Sequence, residues 1–224
     1  MQSLDSISEM RYNYGVLEMN YQAFRTRFEP FACFSNEQVS ASFPGFDRGN
    51  YQEWLKKGYL KRLRRGWYAF ADAARIPGIG DYFAGKIYAP SYLSCQYVMA
   101  RVGLIPESVV QYTSVTSLKT ASFVNDFGEY FYQTVRPQLM FGYESESVGN
   151  GLPVFVARPV KALCDYLYLN PHYDSPEELE ELRLDEDVLA DILVEEDELR
   201  ETVERFDNGA LERRVELLRK VYGI

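Results

Sequence analysis

The sequence predicts an α+β protein: a helical N-terminal head closed by a β-hairpin, then a mainly antiparallel sheet, then C-terminal helices. Three observations carry that prediction. Apolar residues recur at helical spacing over roughly the first 57 residues and then change to strand spacing. Residues 108–156 are rich in β-branched and aromatic side chains punctuated by turn residues. The last 54 residues return to a helical period with acids on the outward positions.

Residues 14–28 read as the first helix, with Val16, Leu17, Tyr21, Phe24 and Phe28 on one face and Glu29-Pro30 ending it. Ser35 is placed to cap a short helix over 36–42, with Glu37 in its first turn. Phe43-Pro44-Gly45 breaks the chain. Asp47 can cap a second helix over 48–57, and Gly58 stands where a left-handed terminal residue is wanted. On that helix Tyr51, Trp54 and Leu55 share the inward face, which leaves Arg48, Asn50, Gln52, Glu53 and Lys56 outward. Residues 59–62, 63–66 and 67–70 then read as strand, turn and strand. Helix, short helix, break, second helix and hairpin is the element order of a winged helix-turn-helix, assigned to residues 1–75.

Arg75-Ile76-Pro77-Gly78-Ile79-Gly80 reads as the linker to a second, α+β domain over 76–224. Two helices are expected there, over 81–88 and 92–102, the second capped by Ser91. Strands are expected over 109–116, 120–124, 130–135 and 139–143, with Asn125-Asp126-Phe127-Gly128 as a hairpin turn. Gly149-Asn150-Gly151 precedes a strand over 153–157 and a helix over 159–169 that buries Leu163, Tyr166 and Leu167. Further helices are expected over 176–184, 187–193 and 196–222.

Charge divides along the same lines. It is +3 over residues 1–75, −1 over 76–170 and −11 over 171–224, which makes up the net −9. Lys56, Lys57, Lys61, Arg62, Arg64 and Arg65 put six cations into ten residues with no acid among them. On the end of the second helix and the hairpin, such a run suits the phosphates flanking a DNA major groove. Phosphate contacts carry no sequence information. Base reading falls to the start of the helix, where Arg48 suits guanine and Asn50 or Gln52 suits adenine. The plainer reading of a basic run is a solvated face; its position on a hairpin following a recognition-type helix favours DNA. Trp54, Trp67 and Tyr68 read as core rather than base-stacking groups.

The sequence offers little for catalysis, and neither a cofactor nor a metal site is expected. His172 is the one histidine, in an Asn-Pro-His-Tyr turn, and Cys33, Cys95 and Cys164 are widely spaced. They read as core residues of a protein in a reducing cytoplasm, not as a disulfide framework or zinc site. Gly78-x-Gly80 lacks the strand and third glycine of a nucleotide fold. A metal-dependent nuclease would have to draw on Asp126, Glu129, Glu144 and Glu146, mostly in expected turns. No apolar run reaches the roughly 18 residues of a membrane span, and no signal peptide opens the chain.

Several segments resemble AbiEi-type antitoxins. They are Trp54-Leu55-Lys56-Lys57-Gly58-Tyr59-Leu60-Lys61-Arg62-Leu63-Arg64-Arg65-Gly66-Trp67-Tyr68; Tyr92-Leu93-Ser94 with the helix ending at Gly103-Leu104-Ile105-Pro106; and Thr113-Ser114-Val115-Thr116-Ser117-Leu118-Lys119-Thr120. Phe141-Gly142-Tyr143 and Ala157-Arg158-Pro159-Val160-Lys161-Ala162-Leu163-Cys164-Asp165 complete the set, so the resemblance spans about residues 35–170. It implies a non-enzymatic antitoxin of a type IV toxin–antitoxin, abortive-infection system, whose winged helix represses its own operon. The C-terminal domain would counteract a nucleotidyltransferase-like toxin without forming a stable complex. The family's DNA-contacting region maps onto Lys56, Lys57, Lys61, Arg62, Arg64 and Arg65. The partners expected are operator DNA, bound as a homodimer or in pairs on inverted repeats, and that toxin. The acidic helices leave an alternative, a protein-interaction module whose winged helix does not bind DNA.

Overall fold

The structure, a computed structural model, describes residues 21–224; residues 14–20 of the expected first helix lie outside them. The head begins with helix α1 (Tyr21–Phe28) and strand β1 (Cys33–Ser35), followed by helices α2 (Asn36–Ser42) and α3 (Gly49–Lys56). Strands β2 (Leu60–Arg64) and β3 (Trp67–Phe70) complete an antiparallel sheet in the order β1-β3-β2.

Local chemistry sets these elements. Ser35 Oγ accepts from the Gln38 amide at 3.3 Å, and the Gln38 side chain accepts from the Ser35 amide at 2.7 Å. This reciprocal pair satisfies two orphan donors at the start of α2. The Asp47 carboxylate accepts from the Gly49 amide at 2.8 Å, one residue into α3. Gly58, at φ +72°, turns the chain into β2. Phe24, Phe28, Phe34, Val39, Tyr51, Trp54, Leu60, Tyr68 and Phe70 form the head's core, so Tyr51 and Trp54 take the inward places the helical spacing gives them.

The body starts with α4 (Ile79–Ile87), β4 (Ser91–Leu93) and α5 (Gln96–Arg101). Strands β5 (Gln111–Thr116), β6 (Ala121–Asn125), β7 (Gly128–Thr134), β8 (Tyr143–Val148) and β9 (Leu152–Ala157) follow. The sheet order is β6-β7-β5-β4-β9-β8. Three of its pairings are antiparallel, and two, β5 with β7 and β4 with β9, are parallel. Helix α6 (Pro159–Leu169) packs on β9 and α5. Helices α7 (Pro176–Glu180), α8 (Glu186–Leu193), α9 (Glu196–Phe206) and α10 (Gly209–Tyr222) gather around it. Their leucines point inward, Leu179, Leu189, Leu199, Leu211 and Leu218 all being buried, and the acids are left to solvent. Among the described residues no helix is long and apolar enough to cross a membrane.

Four sequence expectations are corrected. The helix expected over 92–102 is two elements: Tyr92 and Leu93 belong to β4, sandwiched between β5 and β9, and only Gln96 onward is helical. Pairing on both edges of a fully buried three-residue strand overrides local propensity. The strand expected over 139–143 is instead a 3₁₀ turn (Pro137–Leu139) and a left-handed Gly142, with β8 starting at Tyr143. The long last helix breaks at Asp207 (φ +47°) and restarts where the Asn208 carboxamide accepts from the amides of Ala210 and Leu211. The helix expected over 176–184 stops at Glu180.

Head and body share a packed face. Residues 75–80 lie against the β8–β9 turn: Gly149 donates to the Pro77 carbonyl at 2.9 Å, and a Cβ at Gly78 would meet Val148 at 2.8 Å. Ala32, Cys33, Leu63, Ala69 and Ala73 of the head are buried in the body's core. Tyr82 donates to the Phe31 carbonyl at 2.9 Å across the same face.

Candidate nucleic-acid interface

Helix α3 packs against β2, the first strand of the β2–β3 hairpin. Arg48, at the N-terminus of α3, is exposed, as are Gln52 and Lys56 further along it; Asn50 is half-buried. Tyr51 stacks on Tyr68 at 4.4 Å with rings 15° apart, fixing α3 against β3. Arg62 also meets this aromatic step, its guanidinium 5.9 Å from the Tyr68 ring. Gly66, at φ +81°, makes the hairpin turn beside the start of α2, where the Asn36 amide donates to the Gly66 carbonyl at 2.9 Å. Arg65 is exposed at that tip.

The cations of the basic run are not equivalent. Lys57 is paired with Glu53 at 2.5 Å and Lys61 with Asp126 at 2.5 Å. Arg64 faces the body, its guanidinium 5.6 Å from the Tyr88 ring and 5.4 Å from that of Phe123. Its Nε is buried without a hydrogen-bond partner. Arg48, Lys56, Arg62 and Arg65 reach solvent. Acids share the surface: Glu37 has its carboxyl held below the usual range, mainly by the Ser35 hydroxyl, with Arg48 and Arg64 near enough to add to it.

A β-bulge explains the division. Strand alternation already sends Leu63 into the body core, 1% exposed; the register of β2 against β3 shifts between Arg62 and Arg64, so Arg64 pairs across from Trp67 and joins Lys61 and Leu63 on the side facing the body. Leu60 points into the head core three residues earlier. The run and the β6–β7 hairpin were each legible in the sequence; the bulge that splits the run and the docking of that hairpin against it were not. Asn125 and Asp126 read as turn residues, with no sign that they would meet β2.

A second polar constellation lies inside the body. Lys161, 1% exposed, and Asp165, fully buried, form an ion pair one helical turn apart on α6. Lys161 Nζ also donates to the Tyr92 hydroxyl at 2.8 Å. Tyr92 and Ser94 donate to the Asp165 carboxylate at 3.0 and 2.8 Å. Burial pushes the Asp165 carboxyl upward, and Lys161 and the hydroxyls oppose that shift. The rings of Phe206 and Phe141 lie 4.6 and 4.8 Å from the ammonium. A Cβ at Gly142 would press on the Lys161 stem at 3.0 Å. Next to Ser94, Cys95 adopts φ +55°, ψ −140°. Thr113 braces that turn, its hydroxyl donating to the Ser94 carbonyl at 2.7 Å and accepting from the Tyr97 amide at 3.1 Å.

Cys33, Cys95 and Cys164 are free and buried. Burial pushes all three thiols up, Cys33 and Cys164 to about 12, so each is a neutral core group. His172 is exposed, its ring 4.1 Å from that of Tyr173 in a tilted contact. Among the described residues no cluster of three or more His, Cys, Asp or Glu side chains is arranged to hold a metal ion. No protein-family model matches the chain, and no curated protein matches it.

Proposed function

We propose that the head is a winged helix-turn-helix that binds operator DNA, with α3 in the major groove and the β2–β3 hairpin as the wing. The observation that carries this reading is the element order helix, strand, helix, helix, hairpin, closed into a sheet of order β1-β3-β2. Helix α3 packs against β2, and Arg62 and Arg65 of the hairpin are exposed, which suits groove reading flanked by phosphate contacts. Arg48, Asn50 and Gln52 are the base-reading group. Lys56, Lys57, Lys61, Arg62, Arg64 and Arg65 are the phosphate group, of which Lys56, Arg62 and Arg65 are free to act without rearrangement.

The fuller reading is a cytoplasmic, autoregulating repressor that is also the antitoxin of a type IV system, its body counteracting a nucleotidyltransferase-like toxin. It draws on the resemblance to AbiEi-type antitoxins. Tyr92, Ser94, Thr113, Gly142, Lys161 and Asp165 come from four separate segments of that resemblance, and all lie in or against the one buried network. Shared structural residues of this kind suit a common scaffold; they assign no role to the toxin-facing surface.

The test is an anisotropy titration of the protein with its own upstream DNA at two salt concentrations. Tight binding that weakens steeply with salt and exceeds binding to random duplex supports the repressor. Folded protein with no affinity for either duplex shifts the assignment to a protein-interaction module. That alternative has its own support in the −11 charge of residues 171–224. The C-terminal leucines are part of the body's core, so exposed acids such as Glu186, Asp187 and Glu201 should be neutralised in place rather than deleted.

A further inference from the structure

The edge strand of the head, β2, runs beside the edge strand of the body, β6, and three contacts fasten them. Asn125 uses both ends of its carboxamide: the oxygen accepts from the Phe127 amide at 2.8 Å, shaping the hairpin turn, and the nitrogen donates to the Leu63 carbonyl at 3.0 Å. Arg64 lies between Tyr88 and Phe123. At the rim, Asp126 reaches Lys61 at 2.5 Å, with the two side chains 60% and 42% exposed. The first two contacts are half-buried and hold the hairpin in place. The third is in water and can exchange.

We propose that Asp126 is an internal competitor for DNA phosphate: it occupies Lys61, and DNA binding releases that lysine. The inference rests on the winged-helix reading. A carboxylate and a phosphate oxygen offer Lys61 the same interaction, an anionic acceptor for an ammonium donor. An exposed pair of this kind is weak enough for a neighbouring phosphate to replace. Lys61 adjoins Arg62 on β2 but leaves the opposite face of the strand, paired across from Ala69 where Arg62 is across from Tyr68; its long, 42% exposed side chain can therefore turn from Asp126 to a further phosphate of a backbone bound at Arg62. Asp126 thereby lowers the number of phosphates the resting hairpin is set to neutralise. Asn125 is a positioning residue, since its bond to the Leu63 carbonyl brings the turn carrying Asp126 up to β2.

The experiment is a double-mutant cycle on the full chain. Binding of a labelled duplex from the upstream region, and of a random duplex, is titrated over a salt series for the unaltered protein, Asp126→Asn, Lys61→Gln and the pair together. Asparagine suits the same turn, so the hairpin is retained. With Lys61 present, Asp126→Asn should tighten binding to both duplexes, by up to about fivefold, with the salt slope nearly unchanged because Lys61 meets phosphate in both complexes. With Gln at position 61 the same change should have no effect. Asp126→Glu should behave as the unaltered protein. An equal gain in both backgrounds would mean that Asp126 acts only by general repulsion of DNA, and would overturn the proposal, as would no gain in either. If the unaltered protein binds neither duplex, the winged-helix reading fails first. That result is distinguishable because it precedes any substitution.

Discussion

Two lysine–aspartate pairs, one in each part of the molecule, show how far environment decides what the same two side chains do. Lys61–Asp126 joins head to body in solvent, and Lys161–Asp165 lies inside the body with both side chains essentially fully buried. In water the attraction is screened and each partner has water as an alternative, so the pair is exchangeable and worth about 0–1 kcal/mol. Inside the body neither partner has an alternative. Tyr92 and Ser94 supply further hydrogen bonds there, and three aromatic rings surround the Lys161 amine. The first pair suits regulation of a binding surface; the second fixes β4 and α6 relative to each other.

The sharpest way to break this comparison is to remove one member of the buried pair. Lys161→Met leaves an uncompensated carboxylate in the core and should cost about 3–5 kcal/mol, lowering Tm by roughly 10 °C. Lys161→Met combined with Asp165→Leu should recover much of that loss, because no buried charge remains. Thermal and urea melts decide it. A single variant as stable as the parent would show that the network does not hold the body together.

Next in size is the free part of the basic surface. Arg62→Glu with Arg65→Glu should weaken binding to every duplex by tenfold or more, an estimate of about 1 kcal/mol per lost contact. The salt slope should fall by roughly 1 for each contact removed. Both residues are exposed, so stability should change by less than about 0.5 kcal/mol. An unchanged salt slope would remove the hairpin from the DNA model. Arg48→Ala is a finer instrument: it should relax preference at one base pair by about 1–3 kcal/mol while leaving random-duplex binding nearly intact. Uniform weakening would instead make Arg48 a phosphate contact.

How much of this could be read in advance follows the range of the forces involved. The Ser35 cap, the inward Tyr51 and Trp54, the β2–β3 hairpin, the Asn125–Gly128 turn and α6 depend on neighbours within a few residues, and each was legible. Strand β4 was not, because Tyr92 and Leu93 are extended only by virtue of partners near residues 115 and 156. The same limit applied to the interface. Six clustered cations announced a basic surface, but which of them face water depends on a bulge at Leu63 and on β6, some sixty residues further along. Sequence gave the chemistry of the surface, and tertiary docking gave its orientation.

The smallest effect is the most discriminating for the exposed pair. Lys61→Gln should change folding stability by less than about 1 kcal/mol, since Asp126 is left solvated rather than stranded. Asn125→Ala should cost more, about 1–2 kcal/mol, because it deprives the Phe127 amide and the Leu63 carbonyl of their partner at once. Hydrogen exchange should then show faster opening of β2 in the Asn125 variant and not in the Lys61 variant. If both variants open β2 equally, the ion pair is part of the fastening, and the separation between an exchangeable rim and a fixed clamp does not hold. If only the Asn125 variant does, hairpin position and phosphate competition are set by adjacent residues of one turn and can be altered one at a time.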